Sequence, residues 1–209
     1  MRRWLDLLQV IDSSFPSGSY AHSFGLESLG DDRLEARLAT RVREGLGRFE
    51  LVFMQQAYTR PLTALDARLH AMLLPLEVRQ GSALIGTALL RAACELFRDA
   101  RLSEFLAVGP HRHHAVAFGA IAAALDVPPR LAAETYAFVS LRGHVSAAQR
   151  LGWLGQRDAQ RVLHALKPEV RMAAQTACGL QLDVAGGFAP AWDVAAMAHE
   201  FALARMFAS

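Results

Sequence analysis

Apolar residues recur along this chain at three- and four-residue steps. Leu38, Val42, Leu46, Phe49 and Phe53 form one stripe, and Leu62, Leu65, Leu69, Leu73 and Leu76 form a second. A third joins Trp192, Ala195, Ala196, His199, Leu203, Met206 and Phe207. Such spacing places each set on one face of an α-helix, the face that packs against a core. The period-two alternation of a half-buried strand is essentially missing. Proline and glycine punctuate the pattern. Pro16-Ser17-Gly18-Ser19 breaks the chain early, Gly30-Asp31-Asp32 ends a short helix, and Pro61 and Pro75 bracket another. Pro128-Pro129 can open a helix at its first turn, and Gly186-Gly187 through Pro190 introduces the last one. Between these marks the pattern predicts about nine or ten helices of ordinary length. With no linker, low-complexity stretch or internal repeat, the expectation is an all-α chain folded as a single compact domain over residues 1–209.

Composition narrows the function. The 209 residues are 53% hydrophobic and 20% charged, which excludes a disordered chain and gives enough apolar surface to expect contact with another subunit. The 22 basic and 20 acidic residues nearly cancel, so a nucleic-acid binder working through bulk charge is excluded. Lys167 is the only lysine; with so much alanine, the arginine excess reads as coding bias rather than a row of phosphate contacts. Cys94 and Cys178 have no metal-ligand or CxxC spacing and are expected to be reduced core residues, as in a reducing compartment. Asp6 falls where a signal peptide needs a hydrophobic run, and the uncharged stretch from Ala115 to Leu125 is far short of the roughly 18–20 residues that span a bilayer. A cytoplasmic protein without membrane contact is expected.

Three segments carry residues capable of chemistry. Asp12 to Glu27 holds several serines, His22 and two acids, the ingredients of a hydrolase using Ser17, Ser19 or Ser23. Ser17-Gly18-Ser19 is not a G-x-S-x-G elbow, however, and no strand precedes it. The plainer reading makes Ser17 or Ser19 a helix cap, Gly18 a residue in a conformation closed to others, and Gly25 a point of close helix packing. His111, His113 and His114 form a cluster able to ligate nickel, zinc or copper, although i, i+3 spacing only partly suits chelation on a helix and no nearby cysteine completes a site. His199-Glu200 begins like H-E-x-x-H, but Leu203 stands where the second histidine is required. Gly152 and Gly155 lack phosphate-loop spacing and mark a helix break. No cofactor site emerges.

Read together and in order, these segments resemble the urease accessory protein UreF family. The first block runs from Leu7-Leu8-Gln9-Val10-Ile11-Asp12-Ser13 through Pro16, Gly18, His22-Ser23 and Gly25-Leu26-Glu27. The second, less specific, is Glu77-Val78-Arg79 with Ser82, Gly86 and Leu89-Leu90; the third is Arg150-Leu151, Leu154-Gly155-Gln156 and Gln160. The fourth is Phe188-Ala189-Pro190, His199-Glu200 and Arg205-Met206-Phe207-Ala208-Ser209. The chain departs from the family pattern at Trp153, where proline is usual, at Leu203, where tyrosine is common, and at Met206 and Ala208, where leucine and arginine are usual.

The resemblance implies an all-α homodimer without catalysis of its own. It implies assembly with UreD (UreH in some organisms) and the GTPase UreG, delivery of nickel to apo-urease, and an influence on GTP-coupled metal transfer. It assigns Glu27, Arg150 and Gln156 to a UreG-facing surface, and His199, Arg205, Phe207 and Ser209 to a UreD-facing one. A terminal segment of this kind is expected to fray until a partner orders it. The alternative is a chaperone that binds nickel directly through His111, His113 and His114.

Overall fold

One helix is apolar on every side, and the rest of the chain is arranged around it. In a computed structural model, which describes residues 2–209, helix α8 (His114–Ala124) has eight of its eleven residues buried. It is the same uncharged stretch that is too short to span a membrane; a helix apolar all round belongs in the middle of a bundle. Before it come α1 (Arg2–Val10), α2 (Leu26–Leu29), α3 (Leu34–Thr40), α4 (Leu51–Gln56), α5 (Leu62–Met72), α6 (Leu76–Phe97) and α7 (Ala100–Val108). After it come α9 (Pro129–Arg150), α10 (Gln156–Ala165), α11 (Lys167–Gly179) and α12 (Pro190–His199). Helices α4, α6, α7 and α9 pack around α8, α11 lies against α9 and α4, and α12 against α2. A single core cluster runs from Leu7 to Phe207. No strand occurs among the described residues, and no helix there is long and apolar enough to cross a membrane.

The breaks fall where proline and glycine place them. Pro61, Pro75, Pro128 and Ala189 immediately precede α5, α6, α9 and α12, and Gly30 ends α2. The helix count is higher than the pattern implies. Arg41–Glu50 forms a π-helical stretch that joins α3 to α4 as one continuous rod, leaving eleven rods among the described residues. Two glycines shape this stretch. The guanidinium of Arg41 lies where a Cβ on Gly45 would sit, and Gly47 lies against the backbone of Ala173 in α11. Over this span Arg41 Nη2 donates to Glu50 Oε1 at 2.5 Å, an ion pair nine residues apart along the chain.

Two expectations need correction. Cys94 and Cys178 are both free, but Cys178 is exposed, with Gln55 Nε2 donating to its sulfur at 3.0 Å, so it is no core residue. The third apolar stripe keeps its helical form only as far as His199. Beyond it the chain leaves the helix, Leu203 and Met206 are exposed, and Phe207 is buried by a different route.

Candidate functional site

The segment after α12 returns to the body of the molecule and is pinned there by a buried polar network. His199, fully buried at the end of α12, directs Nδ1 at Glu77 Oε2 (2.7 Å) and Nε2 at Glu27 Oε2 (3.1 Å). Carboxylates accept hydrogen bonds, so a ring N–H donates where it meets one, and both nitrogens of the buried ring face a carboxylate oxygen. The amides of Met206 and Phe207 donate to Glu27 Oε1 and Oε2 at 2.9 and 3.2 Å. Arg205 Nη1 donates to the remaining oxygen of Glu77 at 2.8 Å. Burial pushes the Glu27 carboxyl upward, but the Met206 amide, the His199 ring and the Phe207 amide outweigh it and hold it below its ordinary value.

Further along, the segment closes onto the chain's opening block. Ser23 and Phe24 donate their amides to the Ser209 carbonyl at 2.6 and 2.9 Å, and Ala208 N–H donates to Ala21 O at 2.8 Å. His22 Nδ1 lies 2.8 Å from Ser209 Oγ. Gly81 of α6 leaves room for this pair, since a Cβ there would lie 2.9 Å from His22 Nδ1 and 3.1 Å from Ser209 Oγ. Arg150 caps the arrangement, its guanidinium 4.4 Å above the Phe207 ring and hydrogen-bonded to the Tyr20 carbonyl. Gly25 sets α2 against α12. At φ +88° it adopts a left-handed conformation, and a Cβ would come within 2.9 Å of Ala196 N.

In the structure of the chain alone, the terminal segment is packed onto the body of the molecule. Phe207 and Ser209 are buried, and the residues that the resemblance divides between two partner faces meet in one network. Gln156 is the exception, exposed at the start of α10 and outside these hydrogen bonds. Sequence reading missed Glu77, Gly81 and Tyr20 as members of the network. Glu77 stood in the weakest block, and its contacts to His199 and Arg205 lie more than a hundred residues away in sequence.

The family model named UreF matches residues 30–167, more than half of the chain. The chain belongs to the UreF family. It is 32% identical to the urease accessory protein UreF of Arthrobacter sp. (strain FB24), covering 98% of this chain and 96% of that one. It is 34% identical to UreF of Rhodopseudomonas palustris (strain BisA53), covering 97% and 92%. The urease accessory protein F of Oryza sativa subsp. indica is 30% identical, covering 95% and 82%. Glu27 and the terminal segment lie outside the 30–167 match, so it is the nearly full-length relatives that extend the likeness over the network.

The UreF-family chain also carries a largely apolar cavity of about 60 Å3, whose polar lining residues include His22, Arg41, Glu50, His114, Tyr136 and His144. Tyr136 Oη donates to Glu50 Oε2 at 2.9 Å, and His114 Nδ1 lies 3.3 Å from the same hydroxyl. Burial first, and then Glu50, pushes the Tyr136 phenol well above its ordinary value. Burial likewise pushes His144 down to about 4. Both groups sit there uncharged.

Neither of the other candidate chemistries is assembled. No hydroxyl of Ser17, Ser19 or Ser23 hydrogen-bonds to the His22 ring; Ser17 Oγ pairs with Ser19 Oγ at 3.3 Å, and Ser23 Oγ donates to the Ser209 carbonyl at 2.9 Å. Gly18 takes the left-handed conformation expected of it, at φ +71°, and Ser17 Oγ accepts the Ser19 amide at 3.5 Å where the next turn begins. His111, His113 and His114 are divided: His114 faces Tyr136, whereas His111 and His113 face His70 of α5. Among the described residues no three His, Cys, Asp or Glu side chains are arranged to hold a metal ion.

Proposed function

We propose that this chain is a non-catalytic adaptor in urease maturation, acting as a cytoplasmic homodimer that assembles with UreD/UreH and the GTPase UreG. In this role it helps deliver nickel into apo-urease and modulates GTP-coupled metal transfer by UreG. One observation carries the reading. A segment bearing the exposed apolar side chains Phe201, Leu203 and Met206 is tied to the body of the chain by the Glu27–His199–Glu77 network. An apolar rim on a preorganised support is what a partner protein docks on, because binding then costs little ordering of the chain. Leu203 and Met206 themselves depart from the usual family residues, and they supply apolar contact to UreD in place of the tyrosine and leucine found there.

Roles divide by exposure. Arg150, Gln156 and Arg205 reach solvent and are the direct contacts, the first two toward UreG and the third toward UreD. Glu27, His199, Phe207 and Ser209 are more enclosed and act by fixing the shape of the segment. A separate apolar face on α1, formed by Trp4, Leu5 and Leu8, serves the dimer. Co-purification with UreD and UreG, with stoichiometry read by light scattering, tests the whole. A complex containing two copies of this chain and both partners is expected. Failure to retain either partner, with the chain folded, overturns it.

A further inference from the structure

Two ring nitrogens outside the terminal network point at one another. His70 Nδ1 in α5 lies 3.1 Å from His113 Nε2 in the loop entering α8. The His111 ring lies flat on His70, with centroids 3.5 Å apart and planes inclined by 7°. One turn before His70, the fully buried Asp66 carboxylate accepts the amides of His111 (2.8 Å), Arg112 (2.7 Å) and His113 (2.7 Å). It holds Arg112 in a left-handed conformation at φ +62°, so the loop is fixed by its backbone and not by the rings' contact with each other.

We propose that His70 Nδ1 and His113 Nε2 form a two-imidazole site for a late first-row divalent cation, nickel or zinc, with water completing the coordination shell and His111 holding the His70 ring in place. Imidazole nitrogens bound at about 2.0–2.1 Å to one ion, at an angle near 100°, stand roughly 3 Å apart; the observed separation is 3.1 Å. Neutral imidazoles suit these cations, and both rings are kept neutral. Burial, then the neighbouring His111 and Arg79, hold His70 below its ordinary value. Burial pushes His113 down to about 4.

The hydrogen now shared between the two nitrogens would move to the other nitrogen of its ring, so each imidazole keeps one N–H and no net charge. His113 Nδ1 is buried without a partner, so no second bond fixes the opposite tautomer. The site differs from the cluster visible in sequence, because His70 enters it and His114 leaves. It stands independently of the adaptor reading.

The test is calorimetric titration of the full chain with nickel(II) or zinc(II) alone, with circular dichroism as a control for folding. One equivalent per chain at micromolar concentration is expected. His70→Ala, at a half-buried position, weakens binding by about tenfold or more. His111→Phe keeps a flat ring on His70 and retains the affinity, whereas His111→Ala lowers it. His164→Ala, exposed on α10, leaves it unchanged. Absence of binding at hundreds of micromolar overturns the proposal. So does a folded His70→Ala variant that binds like the unmodified chain, or a loss caused equally by His114→Ala.

Discussion

An imidazole enclosed between two carboxylates holds the segment after α12, and its removal has a definite cost. His199→Ala removes the ring that bridges Glu27 and Glu77, leaving Glu27 only the Met206 and Phe207 amides and Glu77 only Arg205. Leaving a buried polar group without its hydrogen-bond partner costs about 1–3 kcal/mol. The variant is expected to unfold at a lower denaturant concentration and to exchange the Met206, Phe207 and Ala208 amides faster. Unchanged exchange at those three amides would show that the network does not hold the segment. A second residue sets a pH dependence. His144 is almost fully buried, its Nδ1 is 2.8 Å from the Ser140 carbonyl, and burial lowers it from 6.5 to about 4. The unfolded chain therefore takes up the proton first as pH falls. The stability contributed by neutral His144 is fully present above about pH 6.5 and is lost on acidification from there toward pH 4. At about 1.4 kcal/mol per pH step between the two values, the loss reaches about 3 kcal/mol. Denaturation midpoints between pH 7.5 and 4.5 should fall less steeply in His144→Gln than in the unmodified chain. Glu27, His199 and Arg205 could be picked out in sequence because they sit in dense blocks. Glu77 could not, since nothing local ties it to residues of the far terminus.

Helix contacts are set as much by missing side chains as by those present. A Cβ on Gly119 of α8 would lie 2.1 Å from the Met54 carbonyl of α4, and one on Gly86 of α6 would lie 1.9 Å from the Arg112 carbonyl. Neither neighbour is the flexible end of a side chain, so backbone has to move. Gly119→Ala is expected to destabilise the fold by about 3 kcal/mol, at the upper end for overpacking. Gly143 in α9 makes the opposite case. It is exposed, with nothing within 4 Å of its Cβ position, so Gly143→Ala should stabilise by about 0.5–1 kcal/mol through backbone entropy alone. Urea midpoints of the two variants should move in opposite directions. Element boundaries were legible because proline and glycine act locally, as before α5, α6 and α9. The π-helical stretch was not: Leu38, Val42 and Leu46 satisfy an ordinary helical period, and the close approach of Gly47 to Ala173 within it joins residues far apart in sequence. Nor could spacing reveal that the last stripe stops being a helix at His199. Phe207 still falls on the apolar face, but Arg150 and α2 place it there.

At the scale of the whole molecule, two exposed apolar faces need separate occupants. Trp4 (55% exposed), Leu5 (70%) and Leu8 (50%) follow one another around α1, beside a groove of about 500 Å3 shared with Leu96 at the end of α6. Phe201, Leu203 and Met206 form the other face, beyond α12. A monomer rarely leaves two such groups of large apolar side chains in water. If α1 serves the dimer and the terminal segment serves UreD, the two functions separate by mutation. Leu5→Glu puts a charge in the middle of the α1 face, where it has no partner and desolvation opposes association. It should halve the mass seen by light scattering while leaving helicity intact and UreD capture measurable. Leu203→Glu, on the most exposed side chain of the second face, should keep the dimer mass and lose UreD. A Leu5→Glu chain that stays dimeric would move the two-fold axis elsewhere. A Leu203→Glu chain that turns monomeric would reverse the assignment of the faces.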